Sequence, residues 1–204
     1  MIKIILDFET SGLNPYHDDI IEVAMKVMGT DNSYCCLIKP KSNECISNNI
    51  TRITGITNRM LAKEGLDWEE AYKQINDWLL SLKSDNDEKY SIISHNGESF
   101  DFIFLRRIFY DLNSMNIQTL NDDNILYIDT LLLSKRLLKN RSSYSQKNLC
   151  SHYNISSEGN HRAMNDVIAL EELFNSLIHD LNNITNDNLF DKFNIINDYI
   201  KIKL

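Results

Sequence analysis

Five side chains in this sequence have the types and order needed for chemistry on a phosphodiester: Asp7, Glu9, Asp101, His161 and Asp166. Carboxylates in this number can hold two divalent cations beside a phosphate, and an imidazole that titrates near neutrality is suited to take a proton from an attacking water. Hard oxygen donors favour Mg²⁺, with Mn²⁺ able to substitute, because such ions bind through a few carboxylates and keep several waters.

The pair Asp7-Phe8-Glu9 follows the apolar run Ile4-Ile5-Leu6. In an extended strand residues i and i+2 share a face, so both acids project toward one point, an arrangement that is costly without a cation between them. A turn follows, Thr10-Ser11-Gly12-Leu13, whose backbone amides can approach a phosphate or sugar. The same acidic spacing recurs at Asp67-Trp68-Glu69, but there Asp67 and Glu70 have capping-box spacing before an apolar helical run, and a structural role is expected. His161 and Asp166 would lie roughly 140° apart on a regular helix. They converge if His161 sits in the loop before the helix, Asn160 or a neighbour caps it, and Asp166 occupies its first turns.

The elements that must position these groups are legible in outline. Strands are expected at Lys3–Leu6, Ile20–Met28, Tyr34–Ile38, Tyr90–Ser94 and Ile125–Ile128. Helical spacing predicts an amphipathic helix from Trp68 to Leu82, a buried one from Phe100 to Leu112, another through Leu131 and Leu138, and a long one from Ala163 to Leu181. The stretch after Pro40 reads as polar, Lys83–Lys89 and Asp111–Asn124 as loops, and Lys139–Lys147 as a basic, Ser-rich loop. Together they imply an α/β fold, a mixed sheet with helices on both faces. Residues 1–181 form one domain in this reading, and 182–204 a tail, helical through Phe190, Phe193, Ile196 and Ile200 and packed on the same domain.

The bulk properties narrow the setting. The apolar N-terminal run stops at Asp7, far short of a signal-peptide core, and no stretch is long enough to span a bilayer, so a soluble intracellular protein without membrane contact is expected. Cys35, Cys36, Cys45 and Cys150 contain no Cys-x-x-Cys pair and read as free thiols. A formal charge of −8 argues against a broad phosphate-tracking surface. Two bound divalent cations would halve it, and a protein that grips a strand end needs only a small basic rim. Among the basic residues, the cluster Lys135, Arg136, Lys139, Arg141 and Lys147 is the candidate for that rim, ahead of Arg106 and Arg107.

Three segments carry a resemblance. Asp7-Phe8-Glu9-Thr10-Ser11-Gly12-Leu13, Asn96-Gly97-Glu98-Ser99-Phe100-Asp101 and His161-Arg162-Ala163-Met164-Asn165-Asp166 resemble, in order and separation, the three motifs of the DEDDh (DnaQ-like) 3′-to-5′ exonuclease family. Ile53-Thr54-Gly55-Ile56-Thr57 and Asp129-Thr130-Leu131 are lesser similarities, and the likeness spans roughly residues 1 to 180. The sequence departs from the family pattern at Ser11, where Thr is common, and at Thr54, where His is frequent. Neither removes a catalytic group.

The resemblance implies an RNase H-like fold with a five-stranded mixed sheet, and two-metal hydrolysis of the terminal phosphodiester that releases nucleoside 5′-monophosphates from a 3′ end. It implies that Asp7 bridges both metals, that Glu9 and Asp166 complete one site, and that Asp101 supports the other. His161 would be the general base. Thr10, Gly12 and Leu13 would contact the terminal nucleotide, Leu13 by packing on the base, and Asn96 and Phe100 would shape the strand channel. Single-stranded 3′ ends are the expected substrate, DNA slightly favoured, with RNA trimming as the alternative and a polymerase or other protein as a possible partner. A binding module that kept the fold and lost the chemistry is the rival from another class, disfavoured because all five groups are present.

Overall fold

A computed structural model describes residues 1–84, 89–156 and 162–183. Five strands, β1 (Ile2–Thr10), β2 (Ile20–Val27), β3 (Ser33–Leu37), β4 (Tyr90–Ser94) and β5 (Ile125–Asp129), form one sheet in the order β3-β2-β1-β4-β5. β2 runs antiparallel to both β1 and β3, whereas β1, β4 and β5 are parallel, so the sheet is mixed as expected. The α-helices are α1 (Asn48–Thr54), α2 (Asn58–Glu64), α3 (Trp68–Ser81), α4 (Asp101–Ser114), α5 (Thr130–Leu137), α6 (Gln146–His152) and α7 (Ala163–Asn182).

Alternation along β1 assigns the two faces of the sheet. Ile4, Leu6 and Phe8 pack with Tyr72 and Ile75 of α3 and with Phe104 and Ile108 of α4. Ile5 points the other way, into a core with Leu133 of α5, Leu149 of α6, and Val167 and Leu170 of α7. Burying such aliphatic side chains is worth roughly 1.5–3 kcal/mol each, so the strand is anchored from both sides. Asp7 and Glu9 share the parity of Ile5 and therefore lie on the α7 face.

β1 is longer than the apolar run alone predicts, because pairing with β2 continues through both acids. The ladder is regular from Ile4 opposite Val27 to Glu9 opposite Glu22, then slips at Thr10, which pairs with Ile20. Its parallel ladder with β4 is shorter and ends at Ile5 opposite Ile93. The acidic half of β1 therefore projects beyond β4, where α4 begins.

Several expectations are corrected. The segment after Pro40, read only as polar, contains α1 and α2, capped by Ser47 and Thr57, whose side chains accept the N–H groups of Ile50 (3.3 Å) and Met60 (3.1 Å). Gly55 ends α1 with φ 72°, the left-handed conformation that glycine adopts without strain. Ile46, Ile56 and Leu61 from this segment build a small third core with Ile21 and Leu37. Helices of two turns are too short to display a period. α6 likewise begins inside the expected basic loop, and α4 continues to Ser114 rather than Leu112. Asp67 precedes α3 but makes no side-chain cap, pairing instead with Lys39 at 3.0 Å on the surface. All four cysteines are free thiols. No helix among the described residues is long and apolar enough to cross a membrane. The tail expected to form a helix lies outside the described residues from 184 onward.

Candidate active site

Two elements bring the first and third acidic segments together. Asp7 and Glu9 stand on the α7 face of β1, and Asp166 lies in the first turn of α7. One carboxylate oxygen from each of Asp7, Glu9 and Asp166 lies within 4.8 Å of the others, and all three side chains are half-buried. The donor set is entirely carboxylate oxygen, which is the chemistry of a hard divalent cation.

Asp101 enters from a different direction and is 2% exposed. Its Oδ1 accepts the N–H of Phe8 at 3.1 Å and its Oδ2 accepts the Ser94 hydroxyl at 2.5 Å. The offset of β1 past β4 explains the first contact: beyond Ile5 the strand has no β4 partner, and the carboxylate at the start of α4 takes the place of a ladder carbonyl. Asp101 is thus fixed beside Asp7 without belonging to the same three-oxygen group.

Burial and mutual repulsion raise the proton affinity of these carboxylates. Burial first, then the neighbouring charges of Asp101, Glu9, Asp166 and Glu22, raise the Asp7 carboxyl well above the usual aspartate range. Glu9 is pushed up to about 7 by burial, then by Asp166, Glu22 and Asp101, with Arg162 opposing. Burial also raises Asp101, against the lowering effect of its bonds from Ser94 and Phe8. Each shift is what a bound cation would reverse.

The turn after β1 is built from its own side chains. The Thr10 hydroxyl donates to the Gly12 carbonyl (2.6 Å), the Ser11 hydroxyl accepts the Asp19 N–H (2.8 Å), and Asp18 accepts the Asn14 N–H (2.7 Å). A Cβ at Gly12 would fall 2.3 Å from the Asp18 carboxylate, so a side chain here would have to displace Asp18 from its bond to the Asn14 N–H. Arg107 of α4 supports the loop from outside, donating to the carbonyls of Pro15 and Asp18, both at 2.8 Å. Leu13 sits on this fixed loop with 86% of its surface exposed, which rules out a core role. Thr10, by contrast, is buried and its hydroxyl is already engaged.

Asn96 adopts a left-handed backbone (φ 64°) with its side chain exposed, and Phe100 is half-buried with its ring edge on Phe104 at 5.0 Å. His161 lies outside the described residues. Arg106 and Arg107 are committed elsewhere: Arg106 stacks on Tyr127 at 4.2 Å, and Arg107 holds the loop. Lys135, Arg136, Lys139 and Lys147 are exposed, and Arg141 is half-buried.

Sequence reasoning assigned no role to three supporting residues. Asp129, buried at the end of β5, accepts the N–H groups of Asn96 (3.0 Å), Glu98 (3.1 Å) and Leu131 (2.8 Å), so one carboxylate ties the second segment to the start of α5. The spacing of an Asp before Thr130 and an apolar run was a readable cap signal. Gln146 of α6 donates to the main-chain carbonyl of Asp166 at 2.9 Å and approaches its Oδ1 at 3.5 Å. Glu22, 1% exposed, pairs with Arg162 (2.7 Å) and accepts the N–H of Ala163 (3.0 Å). Its only sequence signal was a lone acid within the apolar run Ile20-Ile21-Glu22-Val23-Ala24.

Comparison with known proteins agrees with this geometry. The sequence model of the RNase T exonuclease family matches residues 4–174. The chain is 32% identical to DNA polymerase III PolC-type of Thermotoga maritima over 174 residues, which is 84% of this chain and 11% of that protein. It is 33% identical, over the same shares, to the corresponding polymerase of Mycoplasma genitalium. Thus the chain spans about a tenth of the length of these relatives. Among solved structures it is similar to E. coli exonuclease I in a single-stranded DNA complex, with TM-score 0.69, 20% identity, and 88% of this chain against 42% of that one. The cell-death related nuclease CRN-4 superposes with TM-score 0.66 and 20% identity, over 87% of this chain and 64% of that one. The chain belongs to the RNase T exonuclease family and has the RNase H-like fold of DnaQ-like exonucleases.

Proposed function

We propose that this member of the exonuclease family is a 3′-to-5′ exonuclease that hydrolyses the terminal phosphodiester of single-stranded nucleic acid and releases nucleoside 5′-monophosphates. The observation that carries the reading is the convergence of Asp7, Glu9 and Asp166 within 4.8 Å, with Asp101 fixed alongside. Their all-oxygen donor set fits two Mg²⁺ ions, with Mn²⁺ as a substitute. Asp7 would serve both ions, Glu9 and Asp166 one of them, and Asp101 the other. Such ions, when bound, supply positive charge to the phosphoryl oxygens and lower the pKa of a coordinated water.

The remaining steps belong to the protein's own residues. His161 takes the proton from the attacking water. Leu13, carried on a loop that Arg107 keeps in place, packs on the terminal base, while Thr10 and Gly12 shape the turn beneath the sugar. Asn96 and Phe100 border the path of the strand. The polymerase III relatives, at 32–33% identity, support DNA over RNA and a polymerase as partner. RNA-end trimming is the second reading.

The test is a 5′-labelled single-stranded DNA and a matched RNA, each with Mg²⁺, Mn²⁺ or EDTA. A ladder that shortens from the 3′ end with a metal and stays intact in EDTA is expected, with DNA degraded faster. Binding without release of monophosphate would instead identify a binding module, and faster RNA degradation would reverse the substrate order.

A further inference from the structure

We propose that Glu22 is a positioning residue of the metal site: it docks the N-terminus of α7 onto the sheet and so sets where Asp166 meets Asp7 and Glu9. The inference rests on the two-metal reading above. Glu22 stands on β2 directly opposite Glu9, so the two side chains share a face of the sheet. Its carboxylate nevertheless does not join the three-oxygen group among the described residues. It reaches across to the opposite end of the chain, where Oε1 accepts Arg162 Nη2 at 2.7 Å and Nε at 3.1 Å, and Oε2 accepts the Ala163 N–H at 3.0 Å.

These contacts act on α7 at the position that matters for Asp166. Arg162, the residue before the helix, makes no side-chain cap of its own, so the first-turn amide of Ala163 is satisfied by a carboxylate from another element. A negative group at a helix N-terminus is favoured by the helix dipole. Asp166 follows within that first turn, so any displacement of Ala163 is carried directly to the ligand oxygen. Arg162 also neutralises Glu22 and holds its oxygens toward the helix, which keeps a fourth carboxylate away from the cations. The sheet register, fixed by β1 and β2, is thereby transmitted to the helix through one side chain.

The decisive variant is Glu22→Asp, which keeps the charge and shortens the reach by one methylene. Mn²⁺ binding to the full chain without nucleic acid is read by electron paramagnetic resonance, with thermal unfolding in EDTA and 3′-end hydrolysis in parallel. The variant is expected to bind Mn²⁺ about tenfold more weakly, as loss of groups that orient metal ligands typically does. Its hydrolysis should recover when Mn²⁺ is raised. A charge-neutral double variant, Glu22→Met with Arg162→Leu, should show the same weakened affinity although the net charge near the site is unchanged. Parent-like Mn²⁺ affinity in either variant, even with a lowered melting temperature, overturns the proposal and leaves Glu22 with a purely structural role. A parent protein that binds no Mn²⁺ overturns the two-metal reading itself, and this inference with it.

Discussion

Glu9 and Glu22 occupy directly opposed positions on neighbouring strands, yet they serve different partners: Glu9 faces Asp7 and Asp166, whereas Glu22 is turned to Arg162 and the Ala163 N–H. Like charges placed opposite each other on a sheet destabilise it. Here Arg162 offsets one of them, and the other is left for a cation. The protein without metal therefore carries a concentrated repulsion at the acidic end of β1, and that repulsion sets measurable properties.

Asp7→Asn should trade activity for stability. The substitution removes a half-buried carboxylate that is crowded by Asp101, Glu9 and Asp166. Hydrolysis should fall by about 10²–10³-fold or more, the range seen when a charge-stabilising group is lost from an active site. In EDTA the variant should melt at a higher temperature than the parent, and added Mg²⁺ should shift its melting less.

The pH dependence of stability should carry the signature of Glu9. Its carboxyl is raised from 4.5 to about 7 in the folded chain, so its contribution is fully present below the unfolded value and is lost as pH rises through the folded one. In EDTA, the parent should lose more stability between about pH 5 and about pH 8 than Glu9→Gln does. Mg²⁺ should restore more of it at the higher pH, where no proton must be displaced. Thermal unfolding of both proteins with and without Mg²⁺ checks the sign.

Leu13→Ala should affect binding rather than folding. The side chain is 86% exposed on a loop held by its own hydrogen bonds and by Arg107. Its melting temperature should match the parent's. The KM for a single-stranded oligonucleotide should rise by about tenfold, as expected when an apolar contact of ~1.4 kcal/mol is removed, with kcat changed much less.

Asp129→Ala should be among the most destabilising single changes near the site. The carboxylate is buried and its loss strands the N–H groups of Asn96, Glu98 and Leu131. These N–H groups are partly buried, so each falls toward the low end of the about 1–3 kcal/mol that a buried unsatisfied group costs, and urea unfolding should show a loss of roughly 3 kcal/mol. The same change should slow hydrolysis because the segment that leads into Asp101 is no longer tied to β5.

What could be read from the sequence followed from range. Asp7 and Glu9 reveal themselves by two-residue alternation, and α3, α4 and α7 repeat their apolar residues over three turns or more. α1, α2 and α6 span seven residues each, too few for a period to emerge. Glu22 meets its partners 140 and 141 positions away, so no local spacing can announce it. Gln146 reaches Asp166 across 20 positions for the same reason. The capping expectation at Asp67 failed because Lys39, brought near by the fold, offered a competing partner.

The placement of Asp7 on the first strand and Asp166 on the last described helix gives the site a history during synthesis. β1 and β2 are made before α7, and Asp166 cannot reach them until that helix follows, more than 150 residues after Asp7. Because chains emerge from the N-terminus onward, a nascent chain carries the crowded pair Asp7 and Glu9 without the third ligand that completes the set. The set of three carboxylates is thus completed only when α7 docks on the sheet.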